Sequence, residues 1–155
     1  GGLTQPIPHE DRHFHSLKYL KNRLAVLMGG RVAEEIKFND KSTGAGNDIK
    51  VATELSRKMV CEWGMSDKLG PLTFGKKQEL VFLGREIGRE QNYSQEVAKA
   101  IDEEIKLFVT EAHQKAHRII SEKWIQLGHL AEKLLSVETL TGEEVKAILE
   151  NNPVS

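Results

Sequence analysis

From Val97 to Ile120 the apolar residues Val97, Ile101, Ile105, Phe108, Ala112, Ala116, Ile119 and Ile120 keep a 3.6-residue period. Side chains on a strand alternate with a period of two, so this run fits only a long amphipathic helix. Ser94 is placed to cap it, with Glu96 in the first turn where the helix dipole favours an acid. A helix of that length has to bury its stripe, and the rest of the chain offers mostly other helices to cover it. Leu17, Leu20, Leu24 and Leu27 fall three and four apart and predict a first helix starting near Ser16. Gly29-Gly30 interrupts the stripe, and Val32, Ala33 and Ile36 can resume it, so the helix either ends at the glycines or passes through them. Two glycines inside a helix cost roughly 1 kcal/mol each against alanine. The cost implies a reason, such as close approach of another backbone. On that reading Gly30→Leu clashes with a neighbour and destabilises the domain by roughly 1–3 kcal/mol.

A second helix is expected from Asn47 or Asp48 to about Trp63, with Asn47 as its cap and Ile49, Ala52, Ser56, Met59, Val60 and Trp63 facing inward. Gly64 ends it and Pro71 blocks an early restart. The glycine-bearing stretch 64–92 reads as a long irregular connection, and such loops are usually functional or mobile. Trp124, Leu127, Leu130, Leu134 and Leu135 mark a fourth helix. Thr141-Gly142-Glu143-Glu144 is a capping box opening a short last helix with Val145, Ile148 and Leu149 inward. At the other end, two prolines and two glycines in residues 1–10 forbid a helix and permit a short extended segment at a sheet edge. The fold class is mainly α: an antiparallel helical bundle with a short extended N-terminal edge segment.

The chain has 155 residues, enough for one domain with a core that needs no disulfide. With 22 basic and 23 acidic residues it carries no basic stripe for nucleic acid. The one cysteine, Cys61, excludes an internal disulfide and fits a reducing compartment as a buried structural thiol. The longest apolar run, Leu24–Met28, is far too short to enter a bilayer as a span. The start at Gly1, without a basic n-region, reads as a chain cut out of something longer.

Few residue sets suggest chemistry. His113 and His117 stand at i and i+4 on one helical face, as zinc ligands can. The HExxH pattern requires glutamate as general base, and Gln114 stands there instead. The pair is expected on the solvent side of its helix. His9, His13 and His15 cluster in the lead-in, where solvated imidazoles are the ordinary reading. Ser42–Asp48 enters a helix start but lacks the lysine of a phosphate-binding loop. Asp48 alone is an ordinary first-turn acid.

Read together, GGRVAEEI from Gly29, the stretch STGAGNDIKVATELSRKMVCEWGMSDKLGPL from Ser42 to Leu72, FLGREI from Phe82 and IDEEI from Ile101 resemble the peptidase domain of the FtsH family. The Ser42–Leu72 stretch is specific, and the resemblance covers nearly the whole chain. Members of that family are hexameric, membrane-anchored AAA+ proteases of bacteria and organelles. They hold zinc through the two histidines of an HExxH helix and a distant aspartate, and the glutamate of HExxH activates the zinc-bound water.

The resemblance implies that Asp48, in the Asn47-Asp48-Ile49 segment, is the third zinc ligand. It places the HExxH helix upstream of the segment matching Gly1–Ile7. This chain is therefore expected to be the C-terminal helical part of a zinc peptidase domain, residues 1–155, with one ligand of three and no catalytic residue. The AAA+ module that binds ATP and Mg, and the membrane anchor, are expected outside it. The parent is expected to be an ATP-dependent zinc metalloendopeptidase acting on unfolded or membrane protein substrates. It is expected to work as a homo-hexamer, with this domain on the cytoplasmic side or in an organelle's matrix or stroma, and with much ring contact from the helix of residues 94–120. The segment matching Gly2–Ile7 is expected to be an edge strand against which unfolded substrate lies. The isolated chain is expected to be inactive. The rival expectation is a non-catalytic helical assembly module.

Overall fold

The computed structural model describes residues 14–75, 91–137 and 139–150, with the backbone alone for 91–94. Among the described residues there are five α-helices: α1 (Leu17–Phe38), α2 (Gly46–Cys61), α3 (Gln91–Glu122), α4 (Trp124–Val137) and α5 (Gly142–Glu150). A 3-10 turn, Thr43–Ala45, links α1 to α2. Among the described residues there is no strand, and the class is mainly α. The expected edge segment at Gly2–Ile7 lies outside the described residues, as does most of the 64–92 connection. Residues 64–75 of that connection are irregular, as expected.

The core forms where α1, α2 and α3 meet. Leu20, Leu24, Met28 and Val32 of α1 pack with Ala52, Met59, Val60 and Cys61 of α2 and with Ile105, Phe108, Ala112 and Ala116 of α3. Leu24 and Met59 are wholly buried, so truncating either to alanine costs about 2–5 kcal/mol. Ser16 caps α1, its Oγ accepting from the Tyr19 amide at 3.1 Å. The helix runs straight through Gly29-Gly30 to Phe38. Among the described residues Gly30 does not meet a close neighbour: a Cβ built there finds no atom within 4 Å, and one on Gly29 would touch Ile120 Cδ1 at 3.9 Å. The expected clash of Gly30→Leu is thus overturned. The glycines persist in the helix because Met28 and Val32, on either side of them, are 5% and 0% exposed. Burying two such side chains stabilises by about 3–6 kcal/mol together, more than two glycines cost.

Three helix ends differ from the sequence pattern. Helix α2 stops at Cys61, and Trp63 is 45% exposed rather than inward. The Trp63 and Met65 amides take the Lys58 and Met59 carbonyls at 3.0 and 2.9 Å, and Gly64 turns the chain at φ +57°. Helix α3 spans Gln91–Glu122, so Ser94, expected just before its start, lies within its first turns. At the far end of α3, Ile119 is 44% exposed, and on α4 Leu134 and Leu135 are 40% and 87% exposed. Helices α4 and α5 pack chiefly on each other, leaving those side chains outside the main core. The capping box is present: the Glu144 amide donates to Thr141 Oγ1 at 3.1 Å, and the Thr141 amide to Glu144 at 3.4 Å. Among the described residues no helix is long and apolar enough to cross a membrane.

Candidate functional site

Asp48 is the third residue of α2, exposed, in the first turn where the dipole favours a carboxylate. Among the described residues no hydrogen bond or ion pair engages its carboxylate, so both oxygens are open to a ligand. The helix starts one residue before the expected cap. Asn47 is inside it, and Ala45 occupies the cap position without a side-chain hydrogen bond. The capping falls instead to Ser42, whose Oγ accepts from the Gly44 amide at 3.1 Å and so closes the 3-10 turn. The Gly46 amide then donates to the Thr43 carbonyl, and the turn runs into α2 without a break. Ala45, 5% exposed, plugs the turn into the core.

A polar network from α1 holds this turn. Arg31 Nη1 donates to the Ser42 carbonyl at 3.2 Å, and Ser42 Oγ donates to Glu34 Oε1 at 2.6 Å. Arg31 Nε donates to Glu35 Oε1 at 3.0 Å. The other Glu35 oxygen, Oε2, lies 2.9 Å from His113 Nε2 on α3. Burial alone would raise the pKa of Glu35. The His113 hydrogen bond and charge, with those of Arg31, outweigh it and hold the carboxyl below its ordinary value.

His113 therefore does not sit on a purely solvent face; it is two-thirds buried against Glu35. His117 is exposed and lies near Ser121 Oγ at 3.4 Å. Among the described residues no group of three His, Cys, Asp or Glu side chains could enclose a metal ion. Of the residues the resemblance marks for zinc, the described part of the chain holds Asp48, whose carboxylate has no hydrogen-bond or ion-pair partner among the described residues. Cys61 is buried, as expected of a structural thiol.

One signal in the sequence competes with an upstream histidine pair. His9, Glu10 and His13 themselves spell H-E-x-x-H. They lie outside the described residues.

Residues 1–148 match the profile of Peptidase family M41. The chain belongs to that family. This M41 chain is 51% identical over 150 residues to the ATP-dependent zinc metalloprotease FtsH 1 of Sphaerobacter thermophilus, covering 97% of this chain and 23% of that protein. It is 49% identical over 148 residues to the ATP-dependent zinc metalloprotease FtsH of Thermotoga maritima, covering 96% of this chain and 24% of that one. The M41 chain thus spans about a quarter of the length of the curated relatives it matches.

Proposed function

We propose that this chain is the helical part of a zinc peptidase domain in which Asp48 is the oxygen ligand to the metal. The carrying observation is the unengaged Asp48 carboxylate on the first turn of α2, inside the Ser42–Leu72 stretch that resembles the FtsH-type proteases. Zinc accepts carboxylate oxygen alongside histidine nitrogen, and three protein ligands leave a fourth position for water. Bound zinc would supply Lewis acidity to that water and to a peptide carbonyl. Asp48 contributes a carboxylate oxygen, and its place on a helix start limits the directions it can take. The histidine pair and the general base come, on this reading, from the upstream HExxH helix, so the isolated chain has no peptidase activity. The parent is an ATP-dependent, membrane-anchored homo-hexamer that degrades unfolded and membrane proteins, with this domain on the cytoplasmic, matrix or stromal side. ATP and Mg belong to its AAA+ module.

Asp48→Asn in the full-length protein tests this. Zinc content and proteolysis of casein are expected to fall while ATP hydrolysis stays. Wild-type zinc and proteolysis in the variant refute the assignment. Replacing His9 and His13 together by alanine is expected to leave zinc content intact. Loss of zinc there, or zinc-dependent cleavage by the isolated chain, would put the pair inside this sequence instead.

A second reading, a helical assembly module, draws on the exposed apolar residues Ile125, Leu134, Leu135 and Val137 of α4. Sedimentation of the domain as a strict monomer at high concentration counts against it. An intact ring combined with a zinc-free Asp48 site favours it.

A further inference from the structure

We propose that Arg31 and Glu34 of α1 are positioning residues that fix the start of α2, and with it the Asp48 carboxylate, through a joint hold on Ser42. The inference rests on Asp48 being a zinc ligand. The two side chains grip one residue from two sides: Arg31 takes the Ser42 carbonyl and Glu34 takes its hydroxyl. The same hydroxyl accepts from the Gly44 amide, so Ser42 Oγ both gives and receives a hydrogen bond and has one fixed orientation. Glu34 acts through a carboxylate whose second oxygen, Oε2, is buried with no hydrogen-bond partner among the described residues. A carboxylate oxygen buried without a partner is unfavourable for stability alone, which points to a role other than stability.

Gly44 is part of the same device. A Cβ on Gly44 would lie 3.0 Å from Glu34 Oε1 and 3.3 Å from Ser42 Oγ, so its missing side chain lets the carboxylate close over the turn. Arg31 is itself braced by Glu35, and Glu35 by His113 from α3. The brace therefore ties the turn to both long helices of the core. Because the Gly46 amide bonds back to Thr43, motion of the Ser42 turn carries into the first turn of α2. Asp48 has no partner of its own among the described residues to hold it. A metal site needs its ligands held in advance, and groups that orient a ligand typically change metal affinity 10–100-fold when removed.

The test uses the full-length protein with Arg31→Met, Glu34→Ala, Ser42→Ala and, as a conservative control, Glu34→Gln, which keeps an acceptor for the Ser42 hydroxyl. Zinc affinity is measured by chelator competition, and geometry by the visible absorption of the cobalt-substituted protein. Arg31→Met and Glu34→Ala are expected to weaken zinc about 10–100-fold and alter the cobalt band, with helicity and ATP hydrolysis kept. Glu34→Gln is expected to recover most of the affinity. Should Arg31→Met fail to fold, Ser42→Ala carries the same expectation, because it removes one hydroxyl only. Faster amide exchange at Asn47 and Asp48 in these variants, with core amides unchanged, reports the loosened turn without reference to metal. Unchanged zinc affinity and cobalt spectra in Arg31→Met, Glu34→Ala and Ser42→Ala, beside an Asp48→Asn protein that has lost zinc, overturn the positioning role alone. An Asp48→Asn protein that keeps zinc overturns the ligand assignment and this inference with it.

Discussion

Gly30→Ala should make this domain more stable, although Gly30 sits in the middle of its second-longest helix. Gly30 is exposed, its φ is not positive, and a Cβ on it meets nothing within 4 Å. Alanine in a helix interior is favoured over glycine by about 0.8–1.0 kcal/mol, partly because the unfolded chain loses freedom. No contact among the described residues opposes that gain, so the full value of about 1 kcal/mol is expected. For a domain of this length it raises Tm by about 2–4 °C. Gly29→Ala adds a methyl in ordinary contact with Ile120 and should gain a similar amount. The internal control is Gly64, at φ +57°, where a Cβ would come 2.8 Å from Pro71 Cα. Gly64→Ala should lose more than about 1 kcal/mol, since both strain and collision oppose it. Urea unfolding followed by far-ultraviolet circular dichroism measures all three. If Gly30→Ala melts below the parent, another group occupies that surface and the open-face reading of α1 is wrong. If Gly64→Ala is neutral, the tight closure after α2 is not a constraint.

Further expectations rest on single buried or paired groups. Ser56 is fully buried and its Oγ has no hydrogen-bond partner among the described residues, so Ser56→Ala should stabilise by about 1 kcal/mol in urea; a loss would reveal a partner for the hydroxyl. Glu35 has its pKa depressed below 4.5, so its contribution to stability is present above that pH and lost as pH falls through the lower folded value. Unfolding measured from pH 6 to pH 3 should show wild type and Glu35→Gln converging below about pH 4.5, and a constant gap would deny the ionic role. Burial pushes the Cys61 thiol up, so a soluble thiol reagent at neutral pH should label it only after unfolding. Prompt labelling of the folded domain would place Cys61 at the surface.

Much of the fold was readable because long amphipathic periods leave few alternatives. Leu20, Leu24, Ala52, Met59, Ile105, Phe108, Ala112 and Ala116 follow from spacing alone, and all are buried. Spacing fails where a stripe outruns its partner. Leu134 and Leu135 keep the helical period on α4, yet little of the core reaches that far and they stay exposed. Trp63 continues the α2 stripe on paper, but Gly64 reverses the chain just after it, and a positive φ shows in sequence only as one more glycine. Fate at Gly29-Gly30 was decided by tertiary burial on either side, which propensity does not see. Ser94 resembles a cap by residue type, while the helix already includes Gln91.

The candidate site shows the sharper limit. In the sequence Asp48 is an acid in a helical first turn, and any helix could carry one there. Only the extended match through Ser42–Leu72 distinguishes it. The residues that hold its turn were harder still to find, because Arg31 and Glu34 lie 11 and 8 positions before Ser42 and sit on a different element. Likewise His113 looked solvent-facing because its partner Glu35 is 78 positions away. Charged side chains on a helix surface are read by default as solvated, and that default fails where another helix end comes across the same surface. Here the last turns of α1 do so. GGRVAEEI presents Arg31, Glu34 and Glu35 within five residues, so one side of α1 can reach both the Ser42 turn and α3. Arg31 and Glu35 are one helical turn apart and pair, which leaves Nη1 of Arg31 free for the Ser42 carbonyl. Removing Glu35 should therefore weaken the hold on Ser42 through Arg31 without touching Glu34, and the effect on the start of α2 should be smaller than that of removing Arg31 itself.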